Sequence, residues 1–208
     1  MLFRRLLQLY LGLALYGTSM ALMVHANLGL DPWDVFHQGV AAQLGWSFGT
    51  VVIVTGALVL LAWIPFKQRP GLGTLSNVVV LGVVADAMLA LLPPVPSIFA
   101  RALLFTAGLL LNAVATAAYI GARFGPGPRD GLMTALVKRT GGSVRLVRTC
   151  IEVSVLLLGW VLGGGVGVGT VAYALLIGPL VQPLLPILDA TRASTALPDA
   201  PVATSRSA

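Results

Sequence analysis

The stretch at residues 125–148, GPGPRDGLMTALVKRTGGSVRLVR, decides how the chain is read, because it occurs twice. A shift of 96 positions lays residues 29–52, GLDPWDVFHQGVAAQLGWSFGTVV, on it without a gap. Gly29 meets Gly125, Pro32 meets Pro128, Asp34 meets Asp130, Gly45 meets Gly141 and Ser47 meets Ser143. The register continues outward. Gly12 and Leu13 upstream meet Gly108 and Leu109, while Gly71, Gly73, Thr74 and Gly82 downstream meet Gly167, Gly169, Thr170 and Gly178. The chain reads as one unit of about 95 residues used twice.

A hydrophobic content of 57% with only 10% charged residues and a mean hydropathy of +0.93 leave too little polar surface for a soluble domain, so the chain belongs in a lipid bilayer. In such a chain the net charge of +6 is a topology signal, and no nucleic-acid partner is expected. Cys150 is the one cysteine. It can form no internal disulfide and reads as a packing residue.

Six apolar runs, 6–24, 48–66, 72–92, 102–122, 144–161 and 168–188, approach the ~20 residues that crossing a bilayer demands. Three fall in each copy, and an odd number of crossings turns the second copy upside down. The predicted fold is an all-α membrane protein: six transmembrane helices as two inverted three-helix repeats, 1–95 and 96–189, each with a short half-helix after its first spanning helix. Residues 190–208 are rich in Ala, Thr, Ser and Pro and read as a disordered cytoplasmic tail. Val24-His25-Ala26 would pass as a signal-peptidase site, but the matching run 102–122 is internal, so the first helix is expected to be retained. With both termini cytoplasmic, twelve of the thirteen Lys and Arg residues fall on the inner side, and Arg101 alone falls outside.

The half-helices, 33–44 and 129–140, are too short to span. Each begins with Pro at the first helical position and has Asp34 or Asp130 two residues later, where a carboxylate can accept from free N–H groups and face the positive end of the helix. Ser47, Ser143, Thr74 and Thr170 read as N-caps of the helices that follow them.

GLGLDPWDVFHQG with LGWSFGT in the first copy, and ARFGPGPRDGLM with GGSVRLVRTCIE and GVGVGT in the second, resemble the bacterial YczE/YyaS/YitT family of small membrane proteins. The resemblance runs to about residue 188. It implies a multi-pass protein of the bacterial plasma membrane and supplies no substrate, reaction or catalytic residues.

Asp34 and Asp130 are the most visible candidate site residues. If the half-helices dip toward the midplane from opposite faces, their N-termini aim at one central point suited to polar solute groups, whereas the plainer reading is helix capping alone. Glu152 falls about 14 Å into its helix at 1.5 Å per residue, where an unpaired carboxylate is expensive. Arg148, one turn earlier, can neutralise it; the alternative is a proton or cation relay. Asn112, at similar depth, is a neighbour or a helix–helix hydrogen-bonding residue. Asp86, matched by Gln182, lines a cavity or reaches interfacial water. His37 lies near the outer face and can titrate near neutral pH, and Arg129 is either a solute anion's partner or one more inner-side charge. No metal site is expected, since no Cys or second His stands at ligand spacing. GGGVGVGT at 163–170 lacks the Lys-Ser/Thr of a phosphate loop and reads as a tight turn. Ala113, Ala117 and Gly121 form a close-packing stripe, and Pro179 and Pro183 should kink the last helix.

The parts of the common hydrolytic and metal enzymes are missing, so neither an enzyme nor a cofactor is expected. The expected function is a small-solute membrane transporter or facilitator with a polar site between inverted repeats, its solute unknown. The alternative is a non-transporting scaffold that binds a partner through its basic inner surface around Lys138 and Arg139. The sequence is equally compatible with a homo-oligomer and with a cytoplasmic protein partner.

Overall fold

In a computed structural model, which describes residues 2–190, the chain is all-helical. Eight α-helices follow in order: α1 (Leu2–Ala26), α2 (Pro32–Leu44), α3 (Phe48–Leu61) with a 3-10 turn at Ile64–Phe66, α4 (Leu72–Leu91), α5 (Ile98–Gly121), α6 (Pro128–Thr140), α7 (Val144–Val161) and α8 (Val168–Leu184). Of the six runs expected to span, four are long and apolar enough to cross a bilayer: α1, α3 extended through its 3-10 turn, α4 and α5. Helix α8 is apolar but has only 17 residues, and α7 carries Arg145, Arg148 and Glu152 within its 18. Leu, Val and Ile side chains stand exposed along the outer faces of these helices. Patches of that extent need an apolar surround, and the molecule is a multi-pass membrane protein. The expected tail lies outside the described residues except for its first residue.

The short helices begin and end where local chemistry dictates. Pro32 and Pro128 occupy the first helical position, where a missing N–H is harmless, as expected. Gly45 and Gly141, both at φ 67°, close α2 and α6 in the left-handed conformation, which glycine adopts without a Cβ penalty. Ser47 accepts from Thr50 N and Ser143 from Leu146 N, both at 3.2 Å, so both are N-caps as expected. Thr74 and Thr170 are not N-caps. They sit at the third position of α4 and α8 and accept from the N–H of Gly71 and Gly167 through Oγ1.

Helix α1 packs along α5 and α4, and α5 along α8; α2 lies against α7, and α6 against α3. In lipid such contacts rest on close van der Waals fit rather than on expulsion of water, which favours small residues at the crossings. At the α1–α5 crossing Gly12 faces the backbone of Ala118 and Tyr119, and Gly108 faces Leu22 and Met23. Ala113, Ala117 and Gly121 are buried on α5, in keeping with the packing stripe. Both expected prolines lie inside α8.

Long-range ties recur 96 positions apart. Arg5 donates to the carbonyls of Ala122 and Arg123 at the end of α5. Arg101 donates to those of Ala26 and Asn27 at the end of α1. Arg101 thereby completes the unsatisfied carbonyl end of α1. Gly73 N donates to Phe124 O at 2.9 Å and Gly169 N to Leu28 O at 2.7 Å. Gly29 and Gly125 stand at φ 114° and 115°, a region closed to other residues.

Candidate solute cavity

The N-termini of α2 and α6 meet inside the bundle, and a cavity of about 370 Å³ lies against them. Asp31 caps α2, accepting from Asp34 N at 2.7 Å. The cap of this helix is therefore Asp31, and the Asp34 side chain is free for other partners. Arg129, at the start of α6, reaches across to α2, placing Nη1 3.6 Å from Asp31 Oδ2 and Nη2 3.5 Å from Asp34 Oδ1. Its guanidinium also lies over the Trp33 ring, 5.0 Å from the centroid, a cation–π position. The two expected half-helices are thus joined by an ion cluster that neither forms alone.

The cluster is short of donors. Charge-assisted N–H···O bonds run to about 2.7–2.9 Å, and one guanidinium is shared at longer range by two buried carboxylates. His37 Nδ1 donates to Asp34 Oδ1 at 3.1 Å, its ring packed among Trp33, Phe36 and Phe48. Asp34 Oδ2 is buried with no hydrogen-bond partner among the described residues. Asp130 lines the cavity beside Arg129. Its Oδ2 accepts from Tyr119 Oη at 3.0 Å, and among the described residues it forms no ion pair.

Tyr16, Tyr119, Tyr173 and Trp33 supply aromatic wall. On the far side α7 contributes Arg148, Ile151 and Glu152, and α8 contributes Ile177, Gly178 and Gln182. Arg148 Nε donates to Glu152 Oε1 at 2.8 Å, so Glu152 has the one-turn partner foreseen for it, and the pair sits half-exposed at the cavity wall.

Four of the eight sequence candidates therefore share this cavity: Asp130, Arg129, Arg148 and Glu152. Asp34 and His37 stand behind its wall in the ion cluster. Asn112 is buried between helices, donating to Ser19 Oγ at 2.9 Å and accepting from Tyr173 Oη at 3.0 Å, and does not line the cavity. Asp86 is elsewhere, accepting from Ser47 Oγ at 2.5 Å and from Gly49 N at 2.6 Å, which pins the start of α3 to α4. Cys150, expected in packing, is exposed. Sequence reasoning passed over Asp31 and the three tyrosines. The Asp-Pro pair at 31–32 and a phenol within each of three apolar helices were the available signals.

Sharing Trp33, Asn77, Leu81, Pro128 and Arg129 with the large cavity, a second, much smaller void of about 30 Å³ is lined by Val52, Thr55 and Gly56 of α3 with Asn77 and Leu81 of α4. These positions lie 96 residues before Arg148, Ile151, Glu152, Tyr173 and Ile177. The helices around the two voids are not alike. Helix α3 packs along α4, whereas α7 has no comparable contact with α8. A Cβ at Gly49 would run into Gly82 O and one at Gly82 into Gly49 O, while Gly178, the counterpart of Gly82, has open space before it.

A family of unknown function (DUF6198) matches residues 3–185. An uncharacterized protein of Haemophilus influenzae is 39% identical over 180 residues, 86% of this chain and 83% of that protein. The uncharacterized membrane protein YczE of Bacillus subtilis is 32% identical over 179 residues, 85% and 83% of the two chains. The uncharacterized protein YyaS of Bacillus subtilis is 24% identical over 183 residues, 86% and 91%. No solved structure matches significantly. The chain belongs to the DUF6198 family and is homologous to YczE and YyaS over most of its length, in agreement with the resemblance read from its motifs.

Proposed function

We propose that this member of the DUF6198 family is a small-solute carrier of the bacterial plasma membrane, built as two inverted three-helix repeats with six crossings and both termini cytoplasmic. The observation that carries the reading is the pair of voids. Positions 96 apart line a cavity of about 370 Å³ and a remnant of about 30 Å³, as expected of one binding site approached from two sides with one approach closed. The paired arginine caps, the paired glycine dihedrals and the reciprocal packing of α2 on α7 and α6 on α3 support the repeat.

In the orientation given by the basic residues, the open gap between α7 and α8 faces the cytoplasm. The Gly49–Gly82 crossing, held by Asp86 on Ser47 and Gly49 N, closes the outer side. The state described is then inward-open. A solute enters between α7 and α8, meets Asp130, Arg129 and the tyrosines, and leaves when α3 parts from α4. The Arg148–Glu152 pair lies on that route and can exchange partners with a charged solute.

Solute profiling tests this reading. Cells overproducing the protein should differ from vector controls in the level of at least one polar solute. Asp130→Asn and Glu152→Gln, at equal membrane abundance, should remove the difference. Identical profiles in all strains, together with co-purification of a stoichiometric partner in mild detergent, would point to the scaffold instead.

A further inference from the structure

We propose that the cavity takes a small organic cation, an amine or quaternary ammonium group, held by Asp130 and Asp31 against the tyrosine walls. This rests on the cavity's being the solute site. The first observation is charge. Among the described residues Asp31 and Asp34 share one guanidinium, that of Arg129, at 3.5–3.6 Å; it already covers the Trp33 ring, and Asp130 lines the cavity beside it. Arg148 is spoken for by Glu152 at 2.8 Å. The remaining charge at the floor of the cavity is negative, and Asp130, whose side chain meets only the Tyr119 hydroxyl among the described residues, is the group best placed to meet a positive solute.

The second observation is independent of the first. Asp34 Oδ2, behind the cavity wall, is buried and without a hydrogen-bond partner among the described residues, so the cluster lacks donors as well as positive charge, and a cation in the adjoining cavity would offset its negative field. The third is the wall. Tyr16, Tyr119 and Tyr173 face the same space, and aromatic faces attract desolvated cations, quaternary ammonium groups above all. A volume of about 370 Å³ lies at the low end of the ~300–1,000 Å³ typical of ligand pockets, which limits the solute to a small molecule. An anion would have to displace two carboxylates from Arg129 and sit beside a third.

Binding can be read without transport. The detergent-purified protein is titrated calorimetrically with tetramethylammonium, choline and benzyltrimethylammonium chlorides, and with sodium acetate and sodium phosphate at matched ionic strength. The expected result is saturable binding of at least one organic cation. Asp130→Asn and, separately, Asp31→Asn, which keeps an N-capping side chain, should weaken it by about tenfold or more. Asp189→Asn, at a residue that pairs with Arg123 away from the cavity, should leave it unchanged. Binding of acetate or phosphate in place of the cations overturns the inference, as does cation binding indifferent to both aspartate substitutions, or no binding by any of the five salts. A protein that binds cations but changes no cellular solute would retain this inference and lose the carrier reading. One that moves an anionic solute would do the reverse.

Discussion

Arg129 is the residue on which the centre depends. Among the described residues it is the one guanidinium within ion-pair distance of both Asp31 and Asp34, and removing one partner of a buried charge cluster typically costs about 3–5 kcal/mol, because the remaining charges are left uncompensated. Arg129→Gln should therefore lower the unfolding temperature of the detergent-solubilised protein sharply. Asp34→Asn removes a carboxylate whose Oδ2 has no partner among the described residues and should be close to neutral. Combined, the two substitutions should cost less than the sum of the single ones, since they share a partner. Strict additivity would mean that the cluster is not energetically coupled. Sequence placed Asp34, Asp130 and Arg129 at the right helix starts because Pro at the first helical position is a strong local signal. It could not reveal that Arg129 crosses to α2, because that contact spans 95 residues and depends on how two helices meet. It also made Asp34 the cap, where Asp31 takes that role, since both stand within one turn of Pro32.

At the scale of elements, the short helices are held by reciprocal fits of large against small. Gly131 on α6 faces the indole ring of Trp63, whose Nε1 donates to Pro128 O at 3.1 Å. Ninety-six positions away the sizes are exchanged: Gly159 on α7 lies against the backbone of Val35 and Phe36 on α2. Overpacking a filled contact costs about 1–3 kcal/mol, so Gly131→Val should destabilise by that amount in thermal unfolding. Trp63→Ala alone should cost about 3–5 kcal/mol, and the double variant should recover part of the loss. No recovery would show that Gly131 and Trp63 do not share a contact. The arginine caps give a milder case. Arg101→Gln should lower stability by about 1 kcal/mol through the carbonyls left open at the end of α1, and Arg5→Gln should do the same at the end of α5. Helix lengths and starts were legible from apolar runs, prolines and serine caps. The large-for-small exchange was not, because neither Trp63 nor Gly131 carries any mark of its partner.

The whole molecule is asymmetric despite its repeated sequence. Gly49 and Gly82 touch, and Asp86 ties the two helices; their counterparts Arg145, Gly178 and Gln182 belong to helices that stand apart. The 96-residue register was readable from the sequence, but that α3 packs on α4 while α7 and α8 stand apart was not, since no local signal distinguishes the two helix pairs; on the carrier proposal this is a choice between two packings of similar energy. A ligand or substitution shifts such a choice only by favouring one packing over the other. The most direct test follows the two voids in a Cys150→Ser background, with single cysteines at Ile151 in the large cavity and Thr55 at its counterpart, labelled with a membrane-impermeant maleimide from either side of oriented vesicles. Ile151→Cys should react from the cytoplasmic side while Thr55→Cys is protected. Adding Ser47→Ala and Asp86→Asn, which release the outer closure, should expose Thr55→Cys to the outside and protect Ile151→Cys. Protection of Thr55→Cys from outside in both backgrounds, or reaction of both cysteines at once, would contradict a site that opens to one side at a time.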